Sequence, residues 1–461
     1  MKTSRALAIT AITATLLLAY PAAAWFSGTQ IEARVQEWHK KSEQFPNIKV
    51  VKHDYKRGVF SSTEDAIVQI SLAGIMPNTV ADTEGAISKP VTLHFINHIK
   101  HGPLPGLRSF GSALVESELV FDPAIKAEIE KIFGQQNPLE IVTKLNYGGG
   151  GTTTIVSPAF NAKVGEKQDQ VAWKGLKLSL DFSAHYTELK FKMSAPGLVA
   201  NAHDGDVMTV GAIDASADLR QAYPDSFLYL GKTTSSVEHI NVNNSAKADK
   251  VFSLQKLVLD SDTTSRDDLM DKSIKFGAQK LVLGKDEYSE LHYDYSLRRL
   301  HGPTLVKFIE AAYKPAKSEI SADPMADVLK PLKEFGPLLL QYKPELTIDR
   351  ISVVTPEGEA KISAKVNLTD TAKIDENNLM LLLTMITASA DISIPEAMLG
   401  KFGASPEEPE MQAMMQEGMK KQVVAFEQAG YINRIGKLLT SKIEWKDGQL
   451  SVNGKPFAMP H

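Results

Sequence analysis

The chain of 461 residues contains no cysteine. Disulfides, thiolate metal centres and cysteine nucleophiles are therefore excluded, the core must be held by packing alone, and an oxidising compartment is compatible with the composition. An excess of either charge is also missing: 51 basic residues face 55 acidic ones, for a formal net charge of −4. Such a balance offers no electrostatic footprint for nucleic-acid phosphates. Beyond residue 26 there is no long apolar run, since the longest later stretch, Leu379–Ile386, is far too short to span a bilayer. Neither Gly-x-Ser-x-Gly nor His-Glu-x-x-His occurs. What remains is an ordinary globular composition, 43% apolar and 23% charged, in a chain long enough for one large or several medium domains.

The N-terminus is laid out as an export signal. Lys2 and Arg5 precede an uncharged run from Ala6 to Phe26, and polar periodic sequence follows from Thr29. The run approaches the roughly 20 residues that cross a bilayer, with Trp25 and Phe26 placed as an interfacial anchor. A retained span over residues 1–26, with 27–461 outside the cytoplasm, is the leading expectation. The alternative uses the small-x-small site Ala22-x-Ala24 behind Pro21, a residue that should end the helix, and releases a soluble periplasmic chain beginning at Trp25. The bland reading is a buried N-terminal helix.

After the signal, Gln30–Glu43 predicts a short amphipathic helix with Ile31, Val35 and Trp38 on one face. The period then changes to two. Strands are predicted through Tyr55 and over Ile67–Leu72 about a turn at Lys56-Arg57-Gly58, and over Val91–Ile99. Asp122-Pro123 opens a helix that Gly134 closes. Leu176, Leu178, Leu180 and Phe182 share one strand face, and Leu189, Phe191 and Met193 another. Gln-Lys-Leu-Val-Leu occurs at Gln255–Leu259 and Gln279–Leu283, as in successive strands of a meander. The last third predicts helices at Pro303–Tyr313, Met325–Leu340, Asn377–Thr387 and Glu410–Ala429 between strands at Leu346–Val354, Ala360–Leu368 and Asp391–Ile394. A closing hairpin turns at Asp447-Gly448. The class is α+β and β-rich: long antiparallel strands in a large sheet or meander, several covering helices, and two subregions meeting near residue 300.

Each chemical constellation has a plainer structural reading. His94 and His98 share a strand face, and with His101 they make the best metal triad the sequence offers, although His101 falls on the opposite parity across a turn. His101-Gly102-Pro103 and His301-Gly302-Pro303 read as strand exits. Gly148–Gly151 lacks the lysine of a phosphate loop and reads as a hairpin tip. Asp260, Asp262, Asp267, Asp268 and Asp271 lack the glycine and final glutamate of a calcium loop and read as a solvated turn. Ser253-x-x-Lys256 lies in a strand, where serine-lysine chemistry needs a helix. Met411, Met414, Met415 and Met419 follow helical spacing and read as a core-facing stripe. No catalytic, cofactor-binding or metal residue is assigned.

Ala24-Trp25-Phe26-Ser27-Gly28 with Ile31-Glu32, Tyr55-Lys56-Arg57-Gly58-Val59-Phe60-Ser61-Ser62, His101-Gly102-Pro103, Tyr293–Leu297, Pro344–Leu346, Gly430-Tyr431 and Gly448–Leu450 with Asn453-Gly454 follow one another along the chain. Together these segments resemble the YdgA family of bacterial envelope proteins, whose function is unknown. The resemblance implies an N-terminal segment in the inner membrane and a body in the periplasm, and it brings no catalytic residues. The functional expectation is a non-enzymatic envelope protein whose sheet offers an apolar face to a lipid-like or protein partner, with no nucleic acid and no cofactor. The alternative is an envelope enzyme with a polar site assembled from distant residues.

Overall fold

The computed structural model describes residues 2–42, 48–71, 90–165, 167–244, 251–313, 324–368, 385–399 and 409–457. The first helix, α1 (Lys2–Ser42), leads into strands β1 (Ile48–Arg57), β2 (Ser61–Ile70), β3 (Val91–His101) and β4 (Ala113–Val120). Helix α2 (Pro123–Phe133) precedes β5 (Glu140–Leu145), β6 (Gly151–Ser157), β7 (Phe160–Val164), β8 (Asp169–Trp173), β9 (Leu176–Phe182), β10 (Glu188–Ala195), β11 (Leu198–Asn201), β12 (Asp206–Val210) and β13 (Ile213–Gln221). Four long strands follow, β14 (Tyr229–Asn244), β15 (Phe252–Arg266), β16 (Leu269–Leu283) and β17 (Asp286–His301). Helices α3 (Gly302–Tyr313) and α4 (Pro324–Leu340) then lead to β18 (Glu345–Thr355), β19 (Gly358–Leu368) and β20 (Ile386–Pro395). The chain closes with α5 (Glu396–Leu399), α6 (Pro409–Ala429), β21 (Asn433–Ile435), β22 (Leu438–Lys446), β23 (Gln449–Val452) and β24 (Lys455–Pro456).

All of these strands belong to one antiparallel sheet, so the α+β, β-rich class holds. Its topology is a meander of near neighbours. Where the chain skips, it is one long strand broken in two: β6 and β7, β8 and β9, β10 and β11, and β12 and β13 are such pairs, and the halves of each lie beside the halves of the next. The breaks lie on one line across the sheet, at Pro158, Gly175, Gly197 and Gly211. Proline cannot donate to the ladder and glycine admits the required bend, which is why these residues stand there. Backbone bonds bridge the line, from Lys174 N to Gly197 O and from Gly211 N to His239 O.

Alternation gives the sheet a dry and a wet face. Directly opposed residues point to one side, so the dry face can be followed strand by strand. One row runs from Tyr55 through Glu64, Asn97 and Ser117 to Ile141, Ile155, Leu178, Met193, Ala215 and Ser235. It continues through Leu259, Phe276, Tyr293, Ile351, Ile362 and Ile392 to Ser441. The wet face carries an alternating charge ladder, Asp181, Lys190, Asp218, Lys232 and Asp262, which fixes the register from outside.

Helix α1 lies on the dry face at the β1–β5 end. Ile31, Ile99 and Ala113 are buried together there, with Val35, Tyr55, Val115 and Leu145 packed against them. The rest of the sheet is less covered. Leu259, Phe276, Tyr293 and Leu346 remain 40–47% exposed.

Several expectations are corrected. Pro21 does not end a helix: α1 runs through it as one element of 41 residues, so the short helix expected at Gln30–Glu43 is the last part of a long one. A proline here loses one intrahelical bond and the long run absorbs that local cost. Asp260 and Asp262 are strand residues of β15, and of the acidic run only Asp267 and Asp268 form the turn to β16. Met414 is 77% exposed, not core-facing. Most of the expected helix Asn377–Thr387 lies outside the described residues, and its end belongs to strand β20. Among the described residues no helix is long and apolar enough to cross a membrane. The anchor expected at 1–26 falls largely on residues 1–19, whose side chains lie outside that description.

Candidate functional site

The junction between α1 and the first hairpin gathers the most chemistry. It begins with His101 at the end of β3. The ring is 1% exposed; its Nδ1 lies 2.9 Å from the Ala24 carbonyl, and its Nε2 lies 3.1 Å from Ser62 Oγ. The consistent neutral tautomer donates from Nδ1 to Ala24 and accepts at Nε2 from Ser62. Burial pushes its pKa below the usual histidine value, against the pull of the nearby backbone carbonyls, and Arg57 adds to the lowering. Helix α1 approaches at small residues. A Cβ on Gly28 would stand 2.7 Å from the His101 ring, and one on Gly102 would stand 3.1 Å from the Ala24 Cβ.

The turn from β1 to β2 completes this junction. Gly58 N donates to Ser61 O at 2.8 Å, and a Cβ on Gly58 would come within 2.6 Å of that oxygen. Arg57 turns back over the Trp25 ring at 5.5 Å and donates to Glu32 at 2.9 Å. Tyr20 donates to the Leu104 carbonyl and stacks on Phe60. The three separated segments Ala24–Glu32, Tyr55–Ser62 and His101–Pro103 thus meet at one place. Because Arg57 and Glu32 are each about one-third exposed, the pair is worth only about 0.5–1 kcal/mol. Arg57→Ala is expected to leave the fold intact and lower stability by that amount in urea titration, with the loss shrinking at high salt.

About two turns beyond Glu32 on α1, His39 reaches the same hairpin. Its Nε2 lies 2.5 Å from Glu64 Oε1, and Asn97 donates to Glu64 Oε2 at 2.8 Å. His53 Nε2 stands 3.1 Å from the same Oε1 but is not aligned for a hydrogen bond, so it and His39 Nδ1 are buried without a hydrogen-bond partner. The rings of His39 and His53 are 4.1 Å apart. For Glu64, burial works to raise the pKa, but hydrogen bonds from His39 and Asn97 and the pull of both imidazoles prevail and hold it below the usual value. These three residues form the one His/Asp/Glu group among the described residues whose ligand atoms lie close enough to share an ion.

The triad considered from sequence is not assembled. His94 pairs with Asp65 at 2.9 Å, His98 approaches Glu118 at 3.8 Å, and His101 faces the other side of the sheet among Ser62 and Ala24. His301 bonds Thr304 and stacks flat on Tyr342 at the start of α3. Gly148–Gly151 turns between β5 and β6, with Asn146 N bonded to Gly150 O. Ser253 donates to Asn241 across the strand pair. His53 was legible as a strand residue, whereas Glu64 precedes the strand expected over Ile67–Leu72 and belongs to the longer β2; only their distance from His39 in space marks the three as a group.

A sequence profile of bacterial proteins of unknown function, DUF945, matches residues 1–460. The chain belongs to the DUF945 family. No curated protein and no solved structure matches it. In this DUF945 protein the second distinctive surface is the middle of the dry face. Directly opposed Leu259, Phe276 and Tyr293 are 40%, 43% and 47% exposed. The coverage is inverted: the polar end of the row, Glu64 and Asn97, lies by α1, and the apolar middle is left open.

Proposed function

We propose that the protein is a YdgA-type, inner-membrane-anchored periplasmic protein that binds a lipid-like ligand along the open middle of its dry face. The observation that carries this reading is the row Leu259, Phe276 and Tyr293, three large side chains that are adjacent across three strands and remain exposed. Exposed apolar surface that is contiguous across strands marks an interaction site. Next to the row on this face, Ile274, Tyr295, Leu297 and Ile348 extend the apolar surface, which Lys272, opposite Leu297, bounds on one side. An apolar strip without arginine anchors suits acyl chains better than a protein hot spot.

Retention of the N-terminal segment is supported by the continuity of α1 past Ala24, whose carbonyl is held by His101. Carbonate washing of membranes is expected to leave the protein in the pellet, and a reporter fused after Gly134 should be active only outside the cytoplasm. For the ligand, the full chain is purified in mild detergent and its organic extract is analysed by mass spectrometry. Phospholipid is expected to co-purify, and Phe276→Asp with Tyr293→Asp should lower its amount at least tenfold with an unchanged circular-dichroism spectrum. Equal lipid in the double variant, or a co-purifying protein in its place, would overturn the reading.

A further inference from the structure

We infer that His39, His53 and Glu64 bind one divalent transition-metal ion, of which Zn²⁺ is the chemical type best matched to two imidazoles and a carboxylate. The three residues come from α1, β1 and β2 and bring their ligand atoms within 4.8 Å of one another. A tetrahedral ion with bonds of about 2.0–2.2 Å separates its ligands by about 3.3 Å, so contacts of 2.5 and 3.1 Å on Glu64 need to open only slightly.

A plain His39–Glu64 hydrogen bond explains half of the arrangement. It leaves His53 Nε2 buried, 3.1 Å from the same oxygen and without a hydrogen-bond partner. A metal ion would take that lone pair. Asn97 holds the second carboxylate oxygen, the outer contact that orients a metal-binding carboxylate. Three protein ligands leave the fourth position of a tetrahedral ion to water. An ion here would clamp the end of α1 to the β1–β2 hairpin.

The test titrates Co²⁺ into the full chain in mild detergent. Trp38 lies 5.0 Å from the His39 ring, so bound Co²⁺ should quench its fluorescence. The expected result is one Co²⁺ per chain with the visible bands of a tetrahedral site, displaced by Zn²⁺, and a thermal midpoint raised by Zn²⁺ and restored by chelation. His53→Asn keeps the His39–Glu64 pair, and Glu64→Gln keeps the carboxamide equivalent of its shape. Each should weaken binding at least tenfold with an unchanged circular-dichroism spectrum, while His94→Asn should bind as the parent does. Absence of the tetrahedral bands, or binding of parental strength in both His53→Asn and Glu64→Gln, would overturn the proposal.

Discussion

Valine at Gly197 is expected to cost about 3–5 kcal/mol, among the largest losses available to a single substitution in this sheet. Gly197 has φ +127, and a Cβ there would stand 2.3 Å from the Val210 carbonyl and 3.2 Å from that of Gly211. A side chain at this φ is strained by about 1–3 kcal/mol before any clash, and the atoms it meets are backbone atoms that cannot rotate away. Gly197 also sits on the bend line, where its own carbonyl accepts from Lys174 N at 3.1 Å. Relieving the clash therefore breaks the ladder that joins the two halves of the bent strands. Trp173 is paired with Leu198 beside the bend, so its fluorescence during urea unfolding reads this region directly. Gly134 supplies the control: it has φ +61 with nothing within 4 Å of its Cβ position, so Gly134→Ala should lose the backbone strain alone, about 1–3 kcal/mol, with no clash added. Equal losses at the two positions would show that the bend is not tightly packed.

The same bend shows how far sequence reasoning reaches. Period-two stretches such as Leu176–Phe182 and Leu189–Met193 are strong because each buries one face, and they became β9 and β10. The repeated Gln-Lys-Leu-Val-Leu segments are adjacent strands, with Gln255 opposite Lys280. The meander was legible for that reason. The bend line was not, because Pro158, Gly175, Gly197 and Gly211 each look like an ordinary turn. Only their alignment across neighbouring strands makes them one feature. Pro21 misled because the rule against internal proline is energetic, and a helix of 41 residues absorbs the loss.

The junction was partly legible. Gly58 and the His101-Gly102-Pro103 exit were read as structural, and both are, but the partners came from elsewhere in the chain. Arg57 was read as part of the Lys56-Arg57-Gly58 turn, and its partners Glu32 and Trp25 emerge only in the fold. His39 carried no signal of its own, being one helix residue among polar neighbours. A site assembled from a helix and two strands leaves no fixed spacing, so no motif could have announced it. The open apolar middle is different. It follows from alternation, but alternation says only that a face is apolar, and the cover over that face is a tertiary fact.

Replacing His101 with alanine should detach the first half of α1 from the sheet and cost about 3–4 kcal/mol, from a large cavity and two orphaned polar partners. The ring fills the space above Gly28, and its two nitrogens hold the Ala24 carbonyl and Ser62 Oγ. His101→Asn is the more telling variant. Its amide can still donate toward Ala24 but cannot titrate, so it should recover part of the stability. The two proteins should also differ in their response to pH. In the fold His101 is held neutral, with its pKa below the ordinary value of 6.5. The unfolded chain therefore binds a proton that the folded chain refuses, and stability falls as pH drops from 6.5 toward the folded value. Denaturation midpoints between neutral and mildly acid pH should decline more steeply for the parent than for His101→Asn. Parallel declines would show that the proton is taken up elsewhere and that His101 is not what holds the helix.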